Sequence, residues 1–254
     1  MRQTLDQNKV VLERMYGKTD YFSEINPKRQ IYIHHSVSHP NPRQVIQSWR
    51  KSSYRKGAAF VIAGKPYENE TSYEDGTIFS AFSSKYWALH LGVHNEKNEI
   101  PKRYKNRTHT RFLEKYSIAI SICNAGEVTW ESGKFYSAFR TVVPDTEVIE
   151  YVDGYRGKRF FHKYTKAQIE SLRQLLVFLC NKYDIPANYQ PDMWELSENA
   201  LLGRFGIFTL ASVRTDKVRC HPQPDLVEIL MDLHKDAVMP EDQAKQQAVG
   251  EATT

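Results

Sequence analysis

The stretch from Thr165 to about Tyr183 carries the most restrictive pattern in the chain. Thr165 and Gln168 stand at capping-box spacing, and Ile169, Leu172, Leu176 and Leu179 recur at helical intervals. A helix with one apolar face needs a surface to cover, and the chain upstream of it offers short β-rich runs. Gln30 to Val37 reads as a buried strand ending in a polar turn that holds His34, His35 and His39. Ala58 to Ala63 and Thr77 to Phe82 read as two strands on either side of an Asp75-Gly76 turn. Tyr116 to Ile122 alternates, which predicts Ser117, Ala119, Ser121 and Cys123 on one face and Ile118, Ile120 and Ile122 on the other. Asn41 caps a helix that has Pro42 at its first position; Gly206 to Leu210 predicts a last strand and Asp225 to His234 a last helix. Strands first, with helices between and after them, imply an α/β sheet with helices on its faces.

At 254 residues, 41% of them hydrophobic, the chain can bury one sizeable core, which favours one domain with insertions over two domains. Its longest apolar stretches, such as Leu175 to Cys180, fall far short of the roughly 20 residues needed to cross a bilayer. The segment Met1 to Lys9 is polar and has no apolar secretion signal, so a cytoplasmic location is expected. Cys123, Cys180 and Cys220 are widely separated and suggest neither a disulfide framework nor a metal knuckle. A net charge of +5 suits weak attraction to anionic polymers such as cell-wall glycans and falls short of a nucleic-acid signature. The basic run Lys102 to Arg111 reads as a solvated loop, and no internal repeat is present. The tail Met239 to Thr254 lacks periodic apolar residues and is expected to be disordered.

Two segments carry candidate chemistry: Tyr32-Ile33-His34-His35-Ser36 at a strand end, and Cys220-His221-Pro222-Gln223-Pro224 far downstream. Imidazole and thiolate are ready zinc ligands, and a strand terminus holds them rigidly. Further segments follow in order: Gly57 to Ile62, Asp75-Gly76-Thr77-Ile78, Lys85-Tyr86-Trp87-Ala88-Leu89-His90-Leu91-Gly92, Ser117-Ile118-Ala119-Ile120-Ser121, and the Tyr164-Thr165-x-x-Gln168 helix start. Across about residues 30 to 234 this series resembles the zinc-dependent N-acetylmuramoyl-L-alanine amidase family of the amidase-2 type. That family includes phage endolysins, anhydro-muropeptide amidases and animal peptidoglycan recognition proteins.

The resemblance implies a single α/β domain whose central mixed β-sheet is flanked by helices. The domain would span residues 30–236, with insertions near 95–114 and 133–162, an N-terminal extension 1–29 and a tail 237–254. It also implies a zinc ion that activates water against the amide between the lactyl and L-alanine groups. Matched residue by residue, His34 is the first metal ligand, and the third lies within Arg219 to His221, either His221 or Cys220. Lys217 takes the family's lysine role, and His35, His90, Ser121 and Asn124 line the substrate groove.

Three positions depart from the family pattern. Leu210 replaces the second histidine, Ser121 stands where a catalytic carboxylate is found, and Ala58 stands near the place of an alternative tyrosine. Cys123, if it shares the face of Ser121, could complete a site with His34 and His221. The expectation is therefore a fold that recognises peptidoglycan or muropeptide, with zinc weakly bound or absent and hydrolysis lost or impaired. Its alternatives are an active zinc amidase, of the endolysin kind released by lysis or through a holin pore or of the wall-recycling kind, and an interaction module of a larger phage, secretion or defence assembly with a protein partner.

Overall fold

In the computed structural model, which describes residues 10–13, 19–52 and 54–233, β-branched and aromatic runs form one six-stranded sheet. Its strands are β1 (Val10–Leu12), β2 (Gln30–His35), β3 (Phe60–Ile62), β4 (Ile78–Ser80), β5 (Ser117–Ile122) and β11 (Gly206–Thr209), in the spatial order β1-β4-β3-β5-β2-β11. Pairing is parallel except between β3 and β4, which run antiparallel as the hairpin around Asp75-Gly76 requires. The sheet is mixed, as the sequence reading expects. The predicted tail at 237–254 lies outside the described residues.

Because side chains alternate along a strand, the sheet serves two cores. Ile31 and Ile33 of β2 and Ile118, Ile120 and Ile122 of β5 face α1 (Pro42–Arg50), α3 (Lys166–Tyr183) and the helical residues 224–233. Tyr32 and Phe208 face the other way, against Leu113 of α2 (Arg107–Lys115) and Leu201 of α4 (Glu198–Leu201). Helix α3 starts as predicted: the Thr165 side chain accepts from Gln168 N–H, and the Gln168 side chain accepts from Thr165 N–H. Gly76 brings the β3–β4 turn against this helix start. It has a φ of +79°, and a Cβ there would lie 2.7 Å from the Ala167 carbonyl oxygen.

Two sequence expectations need correction. Cys123 does not share the face of Ser121: β5 ends at Ile122, and Cys123 packs in the same core as Ile118, Ile120 and Ile122. The basic run 102–111 is not a plain loop, because Asn106 caps α2 within it and Leu113 and Glu114 anchor that helix in the interior. Residues 129–162 form two small accessory sheets, β6 (Thr129–Glu131), β7 (Lys134–Tyr136) and β8 (Val142–Val143) in one, β9 (Val148–Tyr155) and β10 (Lys158–His162) in the other. Among the described residues, no helix is long and apolar enough to cross a membrane.

Candidate functional site

Adjacent residues at the C-terminal end of β2 send two imidazoles to opposite faces of the sheet, and they meet different surroundings. His35 is fully buried. Its Nε2 lies 3.1 Å from the Val218 carbonyl oxygen, which can only accept, so Nε2 carries the proton and Nδ1 accepts from the Tyr164 hydroxyl at 3.0 Å. Burial, and after it the nearby His221 and Arg219, hold His35 well below the ordinary histidine pKa.

His221 packs near this ring, with the centroids 6.1 Å apart. By the same logic it donates from Nε2 to the His162 carbonyl at 3.1 Å and accepts at Nδ1 from the Tyr151 hydroxyl at 2.9 Å. Tyr164 stacks on its ring at 4.5 Å and Phe161 at 4.8 Å. Burial pushes its pKa down to about 3. A neutral imidazole whose single lone pair already accepts from a tyrosine has nothing left for a metal. Cys220 is buried with its Sγ 3.7 Å from the Tyr164 hydroxyl, and burial pushes its thiol up to about 12.

His34 lies on the other face. Its buried Nε2 has no hydrogen-bond partner among the described residues, and burial, with the Arg219 charge as a smaller cause, pushes its pKa down to about 3. Ser121 is its register partner on β5, and the Ser121 hydroxyl is likewise buried and unpartnered. The His90 ring lies nearly parallel to His34 at 6.4 Å, with Nε2 2.8 Å from the Ser117 hydroxyl and Nδ1 unpartnered. Behind His90, the Glu114 carboxylate accepts backbone N–H groups of His90, Leu91 and Gly92. Burial outweighs these bonds and raises Glu114 to about 7. On the side of β11, the pairing ends with Thr209 opposite Ile33, and Leu210 opens a 3-10 turn, Leu210–Ser212, in place of a further strand residue. Leu210 is buried in the apolar cluster with Tyr32, Phe208 and Val213 and offers no ligand atom.

The other sequence candidates fall elsewhere. Asn124 donates to the His162 and Lys163 carbonyls and accepts from Gly126 N–H, so its amide shapes the turn beside His35. Lys217 is exposed, and among the described residues no hydrogen bond or ion pair ties it to His34. The charge near His34 is instead Arg219, whose Nη1 donates to the Ser36 carbonyl at 3.0 Å and which has no carboxylate within ion-pair distance among the described residues. Arg219 entered the sequence reading only as one end of the third-ligand window. Nothing local singles it out, because its partner, the Ser36 carbonyl, is 183 residues away in the chain. The family's zinc would need His34, His221 and a third donor on one side of the sheet, and the residues present do not fit it. Among the described residues no three His, Cys, Asp or Glu side chains group as metal ligands.

The histidine pair thus stands at the C-terminal end of β2, a strand paired in parallel on both sides, on a mixed sheet between two helical layers. The sequence model of the N-acetylmuramoyl-L-alanine amidase family matches residues 24–204, and the chain belongs to that family. The matched span covers β2 to α4 and stops short of β11, Leu210, Arg219 and His221. No curated protein matches. Among solved structures, the chain is similar to the N-acetylmuramyl-L-alanine amidase AmiD from E. coli, determined with anhydro-N-acetylmuramic acid-L-Ala-D-γ-Glu-L-Lys. That similarity has 15% identity and a TM-score of 0.37 over 65% of this chain and 48% of that one. It is also similar to AmpDh3 from Pseudomonas aeruginosa, with 15% identity and a TM-score of 0.44 over 83% of this chain and 61% of that one. The chain thus matches about half to three fifths of the length of these two structures.

Proposed function

We propose that this chain is an amidase-fold receptor that binds a peptidoglycan fragment, a muropeptide, without cleaving its N-acetylmuramoyl–L-alanine bond. The observation that carries the reading is the split of the donor set: Leu210 is buried in the apolar cluster with Tyr32 and offers no ligand atom, and His221 packs near His35, across the sheet from His34, with both ring nitrogens engaged. Without a metal, the groups on the His34 face can bind and orient a ligand. His34 Nε2, His90 Nδ1 and the Ser121 hydroxyl are buried polar atoms without a hydrogen-bond partner among the described residues, and a muropeptide amide or hydroxyl that parted the side chains over them would bond to them. Arg219 adds a guanidinium suited to the carboxylates of a muropeptide stem.

The competing reading, a working zinc amidase, is favoured by one observation, the free Nε2 of His34. It requires His221 to leave its tyrosine cage and cross to the other face.

Titration calorimetry with a soluble N-acetylmuramoyl tripeptide, paired with mass spectrometry of the recovered ligand in the presence of zinc, tests the reading. The expected result is binding with the ligand recovered intact, and affinity lowered about 10-fold or more in Arg219→Ala by loss of a charge-assisted hydrogen bond. Zinc-dependent release of the peptide would overturn it in favour of the amidase.

A further inference from the structure

The three parallel strands β5, β2 and β11 begin at one place, and the residues that immediately precede them, Tyr116, Arg29 and Phe205, gather there. The Arg29 guanidinium lies 5.8 Å from the Tyr116 ring, 5.4 Å from the Phe205 ring and 5.7 Å from the Phe112 ring of α2. Beside it lies a shallow, open cleft of about 470 Å3 along the outer face of α2, lined by Arg107, Thr108, Arg111, Phe112, Lys115 and the C-cap Tyr116. His34 and Arg219 stand at the other end of β2, roughly 16 Å away at the rise of a strand, so this cleft is separate from the candidate site above.

Its electrostatics are one-sided. Arg107, Arg111 and Lys115 stand four residues apart on α2, which sets three cations in a row about 6 Å from one another along the helix. Like charges at this spacing destabilise a helix, and Arg107 at its first position also opposes the helix dipole. The one carboxylate bonded into the row among the described residues is Glu24, 2.7 Å from Lys115. Among the described residues, Arg29, Arg107 and Arg111 have no carboxylate within ion-pair distance. Arg111 lies instead over the rings of Phe22 and Trp87.

We propose that this cleft binds a linear phosphodiester polymer of the polyol-phosphate type. A row of guanidinium and ammonium groups on successive helical turns is suited to anions that repeat along a chain, and guanidinium forks match phosphate oxygens. The rings at the cleft decide between polymers. A single-stranded nucleic acid gains its affinity from bases stacked on free aromatic faces. Here the two rings that line the cleft, Phe112 and Tyr116, pack against each other with centroids 4.7 Å apart, and the Arg29 guanidinium lies over both. What the cleft offers is charge for a backbone without bases.

The test is fluorescence anisotropy with labelled poly(glycerol phosphate) oligomers and with an oligothymidylate of equal phosphate number, at 50 and 200 mM NaCl. The expected result is binding of the glycerol polymer, with log K falling against log salt with a slope of about −2 for three phosphates engaged. Arg107→Gln/Lys115→Gln should weaken binding about 10-fold or more and flatten the slope by about 1.4, while the control Lys134→Gln/Lys166→Gln should not. Far-UV circular dichroism establishes that both variants fold. No binding at 50 mM, equal loss in both double variants, or tighter binding of the oligothymidylate would each overturn the proposal. Muropeptide affinity should be unchanged in Arg107→Gln/Lys115→Gln, so failure here is distinguishable from failure of the proposed function.

Discussion

At the residue scale, the candidate site is a store of neutral imidazoles. His34, His35, His90 and His221 all have their pKa values lowered, with burial as the leading cause. The unfolded chain takes up these protons near pH 6.5, whereas the folded chain resists until far lower pH, at about 3 for His34 and His221. Between those limits the unfolded state binds more protons, so stability is fully present above about pH 6.5 and is lost as pH falls. Acid unfolding between pH 6 and 4 should accordingly take up several protons per chain, and His221→Phe should reduce that number by about one. The midpoint measured at a series of pH values checks this, and a slope unchanged in the variant would contradict it. The sequence made His34 and its departure at Leu210 legible, because strand order and spacing fix both. It could not reveal that His221 spends its lone pair on Tyr151, a contact between residues 70 positions apart. Nor did it reveal that Glu114, from a helix hidden in a basic run, backs His90.

At the element scale, local chemistry read well wherever it was self-contained. The capping box of α3 and the Asn41-Pro42 start of α1 form as their side chains dictate. The α3 cap is also a tertiary joint, since the Thr165 hydroxyl donates to Asp75 Oδ1 at 3.0 Å in the β3–β4 turn. Thr165→Ala should therefore cost about 1–2 kcal/mol, the upper range for a cap, because the Asp75 carboxylate loses a partner as well. Urea denaturation of the variant checks the figure, and a loss no greater than a few tenths would show that the joint adds nothing. What local chemistry could not give was β1, three residues whose strand character depends on lying parallel to Ile78–Ser80. The turn of Cys123 away from Ser121 was equally hidden, because periodicity says how a strand alternates and not where it stops.

At the scale of the whole molecule, the two cores are halves of one object, because β2 contributes Ile31 and Ile33 to one and Tyr32 to the other. Leu113 and Leu176 are both fully buried, one in each core. Leu113→Ala and Leu176→Ala should each destabilise by about 2–5 kcal/mol and shift one shared transition, seen alike by tryptophan fluorescence and far-UV circular dichroism. Separate transitions for the two probes would mean that the cores melt independently. The general plan, a mixed sheet between helices, was legible from the order of strands and helices. That Arg29, Tyr116 and Phe205 gather at the end of β2 opposite the histidine pair was not, since it depends on which strand starts lie side by side.

The parallel pairing of β2 with β11 also has a consequence in time. The two strands are separated by about 170 residues. At ribosomal speeds of about 5–20 residues per second, β2 leaves the ribosome roughly 10–30 s before its outer partner exists. Throughout that interval one edge of β2 presents backbone donors and acceptors with no strand to meet them. Synthesis of this chain thus contains a window in which a neighbouring nascent chain competes with β11 for the same edge.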